Sequence, residues 1–283
     1  LFSRLSRSVC FKMTTLKQEE DNTVGLFTKG DSAEIDEVAA IKHFYDYFSL
    51  NEEPREPPKD FDHNLIDVFI RVLSDPNSDQ RFHASYIVVD LLAHRPLVHR
   101  ILEKGVLGPF VNELQASTID ATGNLERCLA VIARIAAHCA DCRGAVRNTN
   151  VLENIAELIH SGVIRTHLAC KNANACFNNI LFKSTVQPKT GLLILTAVMK
   201  AMRLFETDGD ILEYSLSSLG MLAREDTFVH EDHYNELVSA MLNDEYLIST
   251  VFEVIESGSP EIAKSALNFI GHIMYSGENV HKN

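Results

Sequence analysis

The chain has 283 residues, of which 46% are hydrophobic and 23% are charged, a composition typical of a folded globular protein. The formal net charge of −13, from 26 basic and 39 acidic residues, disfavours general binding to nucleic-acid phosphates. No apolar run approaches the roughly 18–20 residues that a membrane-spanning helix needs. The sequence therefore predicts neither a membrane span nor a nucleic-acid partner.

The first residues differ in composition from the rest of the chain. Residues 1–12 contain three basic residues and no acidic one, as a mitochondrial presequence does. The alternative is a leader that is foreign to the protein, with the true start at Met13. Residues 1–32 as a whole are predicted to be a disordered or leader segment.

An amphipathic helix is predicted over residues 33–50, because apolar residues recur there every three or four positions. The next segment, 51–60, contains three prolines and six charged residues. Proline removes a backbone donor and restricts the residue before it, so this segment is predicted to be a linker. It separates the N-terminal helix from the main body, residues 61–283.

The main body repeats a pattern of two apolar helices. The first helices are predicted at 64–74, 106–116, 151–161, 191–205 and 247–257, and the second helices end at 90–94, 134–138, 179–183, 220–224 and 272–276. These second endings are 44, 45, 41 and 52 residues apart. A period near 40–47 residues is typical of helical solenoids.

Turn-forming residues fall between the paired helices, at 75–77, 123–124, 161–162, 208–209 and 258–260. Short third helices are predicted between units, for example at 96–105 and 141–150. No segment has the alternating pattern of a strand. The predicted fold is an all-α, right-handed helical solenoid of about five repeats.

Two segments, ILEKGVLGPFVNEL (101–114) and VRNTNVLENIAELI (146–159), resemble the unit junction of the armadillo-repeat family. In that junction a short helix ends in a small or polar turn before a β-branched residue and a leucine. Gly105 fits the turn, and Asn150 takes its place in the next unit because asparagine tolerates a left-handed conformation. The resemblance covers roughly residues 61–283.

The resemblance implies that the second helices line a concave surface that binds partner proteins. In the import-adaptor branch of the family, this surface carries a ladder of Trp and Asn side chains that grips an extended peptide. This chain has no Trp, and Asn179 is its only match among the five Asn positions. The ladder residues predicted to contact a partner are Tyr86, Asp90, Arg134, Asn179 and His272.

Several cysteine and histidine side chains are candidate metal ligands. The segment 138–142 contains a CxxC pair, formed by Cys139 and Cys142, which suits zinc only if two more ligands complete the site. The pair at His167 and Cys170 is a possible source of them, but it begins a different helix. We therefore interpret these cysteines as repeat-junction residues and expect no metal and no cofactor.

No glycine-rich phosphate loop and no nucleophile motif occurs in the sequence, so the chain is predicted not to be an enzyme. Its acidic, Trp-free repeats are similar to the GDP-dissociation stimulators of Rho/Rap-type small GTPases, notably in the segment 212–241. That resemblance implies binding to GTPases with basic tails and supplies no catalytic residue. An acidic chain also favours a partner with a basic surface or tail.

Two alternatives remain open at this point. The first alternative is that the chain is a structural fragment of a larger adaptor, chaperone-like or cytoskeletal protein, as its end just after the fifth second helix suggests. The other alternative is a nuclear-import adaptor, which the missing Trp and Asn ladder disfavours. Six dispersed cysteines without a disulfide spacing predict a cytoplasmic location, with nuclear shuttling or mitochondrial targeting by residues 1–12 as the alternatives.

Overall fold

Helices account for nearly all regular structure in the described part of the chain. The computed structural model describes residues 37–49, 57, 61, 64–75, 77–117, 122–224 and 231–280. Within these ranges there are 14 helices and no strand. The helices are α1 Glu37–Ser49, α2 Leu65–Ser74, α3 Arg81–Leu91, α4 Arg95–Glu103, α5 Leu107–Ala116, α6 Thr122–His138, α7 Ala140–Arg147, α8 Val151–His160, α9 His167–Leu181, α10 Pro188–Leu204, α11 Gly209–Leu222, α12 Glu231–Leu242, α13 Glu245–Ser257 and α14 Pro260–Val280.

The helices stack in two rows, as the repeat pattern predicts. The second helices α3, α6, α9, α11 and α14 pack side by side in that order. The first helices α2, α5, α8 and α10 form a second row behind them, and in all five units the first helix also packs on its own second helix. The predicted all-α solenoid of about five repeats is therefore confirmed.

The core runs through the stack as one connected cluster of buried side chains, from Ala40 in α1 to Phe269 in α14. The largest fully buried side chains include Phe69 in α2, Phe177 in α9 and Phe269 itself. Burying a side chain of this size stabilises the fold by about 1.5–3 kcal/mol relative to leaving it exposed. No single unit could bury its own apolar face, so stability depends on the neighbours of each unit.

The junction turns have the predicted conformation. Gly105, between α4 and α5, has φ +82°, and Asn150, between α7 and α8, has φ 50°. Both angles lie in the left-handed region, which glycine and asparagine adopt most easily. Each turn reverses the chain so that the following first helix packs on the core.

Two details of the repeat differ from the prediction. Residues 123–124, predicted as a break, lie in the first turn of α6. Between α9 and α10 the chain has no short helix, because only residues 182–187 connect them and Pro188 starts α10 directly. Unit four thus consists of two helices, α10 and α11, whereas units two, three and five have three.

Helix α1 packs on the solenoid at its N-terminal end. It lies against α3, and its residues Ala40, Ile41, Phe44 and Phe48 are buried in the common core. It thereby extends the row of second helices by one helix. The predicted leader, 1–32, lies outside the described residues, and only residue 57 of the predicted linker is described. None of the described helices is both long and apolar enough to cross a membrane.

Candidate protein-binding surface

The structure brings four of the five predicted binding residues onto three adjacent second helices. Tyr86 and Asp90 lie on α3, Arg134 on α6 and Asn179 on α9. Tyr86 is 41% exposed and Arg134 is exposed, whereas Asp90 and Asn179 are half-buried. We call these four residues the inner row. Because α3, α6 and α9 pack side by side, the inner row forms a strip of aromatic and polar groups across three units.

Two members of the inner row also tie neighbouring helices together. Arg134 Nη1 donates a hydrogen bond to the backbone oxygen of Val89 at 2.6 Å. Asn179 Nδ2 donates to the backbone oxygen of Ala133 at 3.0 Å. An asparagine amide carries a second N–H and an acceptor oxygen in addition. Asn179 therefore holds α9 on α6 and still has groups that can bind the backbone of a partner.

An aromatic cluster adjoins the inner row where α1, α3 and α6 meet. The ring centroids of Tyr45 and Tyr86 are 5.8 Å apart, and those of Phe82 and Tyr86 are 6.1 Å apart. The Arg127 guanidinium lies over the Phe82 ring, 3.9 Å from its centroid. We call Tyr45, Phe82, Tyr86 and Arg127 the aromatic platform. Rigid, half-exposed aromatic rings of this kind are enriched at the centres of protein interfaces.

The carboxyl group of Asp90 sits in an unfavourable place for a negative charge. Burial raises the pKa of Asp90, and the nearby positive charges of Arg134 and His94 lower it only in part. The ionised carboxylate is thus less stable in the folded protein than in water. A cationic group of a partner placed beside Asp90 would be favoured for the same reason.

The inner row ends at unit four, where α14 packs closely on α11. The two ladder positions of α11, Leu216 and Gly220, are both buried. A Cβ atom on Gly220 would lie 3.6 Å from His272 Cδ2 and 3.6 Å from the Cα of Phe269. His272, the fifth predicted binding residue, therefore packs half-buried against Gly220. Helix α11 separates it from Asn179, so the structure does not bring it into the inner row.

Charge is distributed unevenly along the solenoid. Residues 61–200 contain 12 acidic and 14 basic residues, a net charge of +2, whereas residues 201–283 contain 15 acidic and 4 basic residues, a net charge of −11. We call these two parts the amino-terminal region and the carboxy-terminal region. The excess acid of the chain therefore lies in units four and five. A count of charges by region reveals this from the sequence, whereas the total net charge of −13 does not.

A small, open cavity lies beside the aromatic platform, between α3, α5 and α6. Its polar side chains bind one another: Arg81 Nη2 lies 2.5 Å from Glu113 Oε2, and Arg127 donates a hydrogen bond to Asn124 Oδ1. These contacts join α3 to α5 and brace α6 internally. The cavity is thus lined by groups that stabilise the stack beneath the platform.

The histidine and cysteine that were considered as distant metal ligands have other surroundings. His167 Nε2 lies 2.6 Å from Asp208 Oδ2, across the α9–α11 contact. Cys170 is buried beside Asn174, whose Nδ2 approaches its sulfur at 3.7 Å. Burial raises the pKa of the Cys170 thiol to about 12. Neither residue approaches the CxxC pair, so the site that would combine them with Cys139 and Cys142 is not formed.

Comparisons with known proteins bear on the fold. Neither family models nor curated protein sequences gave a match. Solved structures did: a designed armadillo repeat protein in complex with the peptide (KR)4 is similar with a TM-score of 0.62 and 12% identity, covering 83% of this chain and 92% of that one. A second designed armadillo repeat protein gives a TM-score of 0.64 and 15% identity, with coverage of 86% and 96%.

A further similar structure is that of computationally designed armadillo repeat proteins for modular peptide recognition. Its TM-score is 0.62 at 15% identity, and the match covers 83% of this chain and 92% of that one. At such low identity the similarity establishes the fold and not the ligand. The chain has the armadillo-repeat fold, as its junction segments predicted.

Proposed function

We propose that this protein is a non-enzymatic scaffold that binds a partner protein along the inner row and the acidic units next to it. The inner row is preformed, since Arg134 and Asn179 are already fixed by hydrogen bonds to the neighbouring helix. Preorganised side chains lose little conformational entropy when a partner binds. The aromatic platform supplies the apolar area that such an interface needs at its centre.

The partner, in this proposal, carries a basic surface or tail. The observation that carries this inference is the net charge of −11 in the carboxy-terminal region, directly beyond the end of the inner row. A field of one sign steers an oppositely charged partner and sets its orientation. A partner that contacts the inner row with one part and units four and five with its basic part would use both features.

A small GTPase of the Rho/Rap type with a basic tail is the specific partner we propose. It rests on the resemblance of the repeats to GDP-dissociation stimulators and on the position of the acidic units. In this proposal binding deforms the GTPase and promotes nucleotide release, so the scaffold contributes no catalytic residue. The location proposed is the cytoplasm, in keeping with the free thiols of the five described cysteines.

A linear basic peptide is a weaker candidate. The solved neighbours include a designed protein in complex with (KR)4, but this chain lacks Trp and has Gly220 and Leu216 buried at two ladder positions. A peptide ladder cannot continue through unit four. We therefore expect a lysine-rich localisation peptide to bind with millimolar affinity or not at all, and micromolar binding would favour an import adaptor instead.

The test is binding and nucleotide exchange with purified, prenylated Rho/Rap-type GTPases. We expect nucleotide-sensitive binding and faster GDP release with the basic-tailed GTPase, both lost when the tail lysines are neutralised. The test variant of this chain carries Tyr86→Ala and Arg134→Ala, which together remove two exposed side chains of the inner row, and it should bind the GTPase more weakly. The GTPase proposal would be ruled out if no GTPase binds. It would also be ruled out if binding is unaffected both by neutralising the tail lysines and by the double variant.

A further inference from the structure

Three metal-ligating side chains meet at the junction of units two and three, away from the inner row. They are His99 on α4, Cys139 just before α7 and Cys142 in the first turn of α7. One ligand atom from each residue lies within 4.8 Å of the other two. Cys139 Sγ is 3.8 Å from His99 Nε2 and 2.7 Å from Cys142 Sγ.

The fold itself creates this cluster. Helix α4 packs on α6, and the end of α6 leads through Cys139 into α7. Cys139 caps α7, because its Sγ accepts a hydrogen bond from the Cys142 backbone N–H at 3.2 Å. This bond directs the Cys139 sulfur toward both Cys142 and His99. The imidazole comes from 40 residues earlier in the chain, so the CxxC motif alone does not reveal it.

The donor set has a clear chemical preference. Two thiolate sulfurs and one imidazole nitrogen suit Zn²⁺, which takes Zn–S bonds of about 2.3 Å and Zn–N bonds of about 2.0–2.1 Å in a tetrahedron. The sulfur-to-nitrogen distance of 3.8 Å is close to the edge of such a tetrahedron. The two sulfurs would have to separate by about 1 Å to share one ion with bonds of that length. Cys139 is half-exposed and Cys142 is buried, so Cys139 is the side chain that would turn.

We propose that His99, Cys139 and Cys142 bind one Zn²⁺ ion, with a water molecule at the fourth position. The ion would fasten α4 of unit two to α7 of unit three. His99 is exposed, so the open coordination position faces solvent. The role is structural, because the ion links two short helices from successive units.

The experiment is a Co²⁺ titration of the reduced full chain, since tetrahedral thiolate-bound Co²⁺ has strong visible and near-ultraviolet absorption bands. We expect one Co²⁺ per chain, displaced by one equivalent of Zn²⁺, and a higher melting temperature with Zn²⁺ bound. His99→Ala should weaken binding by at least about 100-fold, because loss of even an outer-sphere partner typically weakens binding 10- to 100-fold. The matched controls are His160→Ala, an exposed histidine on α8, and Cys10→Ser, outside the described residues.

The variants distinguish a loss of metal binding from a loss of folding. Cys142→Ser removes a buried side chain and can impair folding, so the exposed His99 provides the decisive variant. Unchanged Co²⁺ spectra in His99→Ala, with the melting curve of the variant intact, would overturn the proposal. A Cys139–Cys142 disulfide that persists after treatment with excess reductant, shown by a mass two hydrogens lower, would overturn it too.

Discussion

The amino-terminal region, residues 61–200, and the carboxy-terminal region, residues 201–283, repeat the same helix pair but present different surfaces. In the first, ladder positions such as Arg134 and Asn179 reach the surface and the net charge is +2. In the second, Gly220 is buried under α14 and the net charge is −11. The buried positions preserve the stack, so the surface positions are able to diverge from unit to unit.

The contrast at one ladder position gives the largest predicted effect on stability. Gly220→Leu inserts a large side chain between α11 and α14, where a Cβ is already 3.6 Å from Phe269 and His272, and should destabilise the protein by about 3 kcal/mol. Ala130→Leu, at a half-exposed ladder position of α6 four residues before Arg134, should change stability by less than about 0.5 kcal/mol. Urea unfolding measures both. Equal effects would show that unit four is as open as unit two.

The control for that pair is Gly220→Ala. Its Cβ would make only ordinary van der Waals contacts. Alanine is also the better helix former, by up to about 1 kcal/mol. We therefore expect Gly220→Ala to be as stable as the unmodified protein or more stable. Marked destabilisation by this variant would mean that α11 and α14 are closer than described.

The second-largest predicted effect on stability concerns the hydrogen bond between Asn174 and Ser215, which joins the two regions. Asn174 is fully buried in α9; it donates to the backbone oxygen of Cys170 and accepts a bond from Ser215 Oγ of α11 at 3.1 Å. Asn174→Ala leaves the Ser215 hydroxyl buried without this acceptor and should destabilise by about 1–3 kcal/mol. Asn178→Ala, which removes a half-exposed bond to Ser217, should destabilise by no more than about 1 kcal/mol. Thermal unfolding that does not distinguish the two variants would contradict this.

Charge neutralisation tests whether the acidic region attracts the partner. A triple variant of exposed acids in unit five, within the carboxy-terminal region, changes Glu245, Glu256 and Glu261 to Gln. We expect it to weaken binding of a basic-tailed GTPase about tenfold, since exposed charge pairs contribute about 0.2–1 kcal/mol each. The effect should shrink as salt is raised, because screening weakens the attraction.

The matched control neutralises three exposed acids of the amino-terminal region. They are Asp79, Glu103 and Glu157, changed to Asn, Gln and Gln. The change in total charge is the same, so net charge alone predicts equal losses of affinity for the two triple variants. We expect the control to lose less than half as much binding free energy. Equal losses in calorimetric titrations would mean that only the total charge matters.

The smallest effect concerns the pH dependence that Asp90 contributes. Its pKa is raised in the folded protein by burial, so the folded state binds this proton more tightly than the unfolded chain. The stability contributed by Asp90 therefore falls as pH rises from its unfolded pKa through its folded pKa. Asp90→Asn should stabilise the protein near neutral pH by less than about 1 kcal/mol.

This gain should disappear under acidic conditions, where the native carboxyl group is protonated. The check is the difference between the urea midpoints of the two proteins across a pH series. A gain of the same size at all pH values would show that the ionisation of Asp90 is not its cause.

The sequence predicted the stack well because burial repeats with the helix period. The side-by-side packing of α3, α6 and α9 and the left-handed Asn150 both followed from local patterns. The end of the inner row at the buried Gly220 could not be predicted in this way, because it depends on how closely α14 approaches α11.

Contacts between residues far apart in the chain also limit what the sequence predicts. The approach of His99 to Cys139 depends on the stacking of units two and three, which no local spacing encodes. The missing short helix before α10 is a similar case, because the prediction relied on the repeat being regular. Local sequence patterns thus predict the helices of each unit, whereas the candidate sites depend on how closely neighbouring units pack.

The most direct test is a hydrogen-exchange map of the chain with and without a bound basic-tailed GTPase. If the partner lies on the inner row and the acidic units, protection should increase in α3, α6 and α9 and in the exposed parts of units four and five. The first helices α2, α5, α8 and α10 should exchange as before. Protection confined to those first helices would contradict the proposal that the row of second helices is the binding surface.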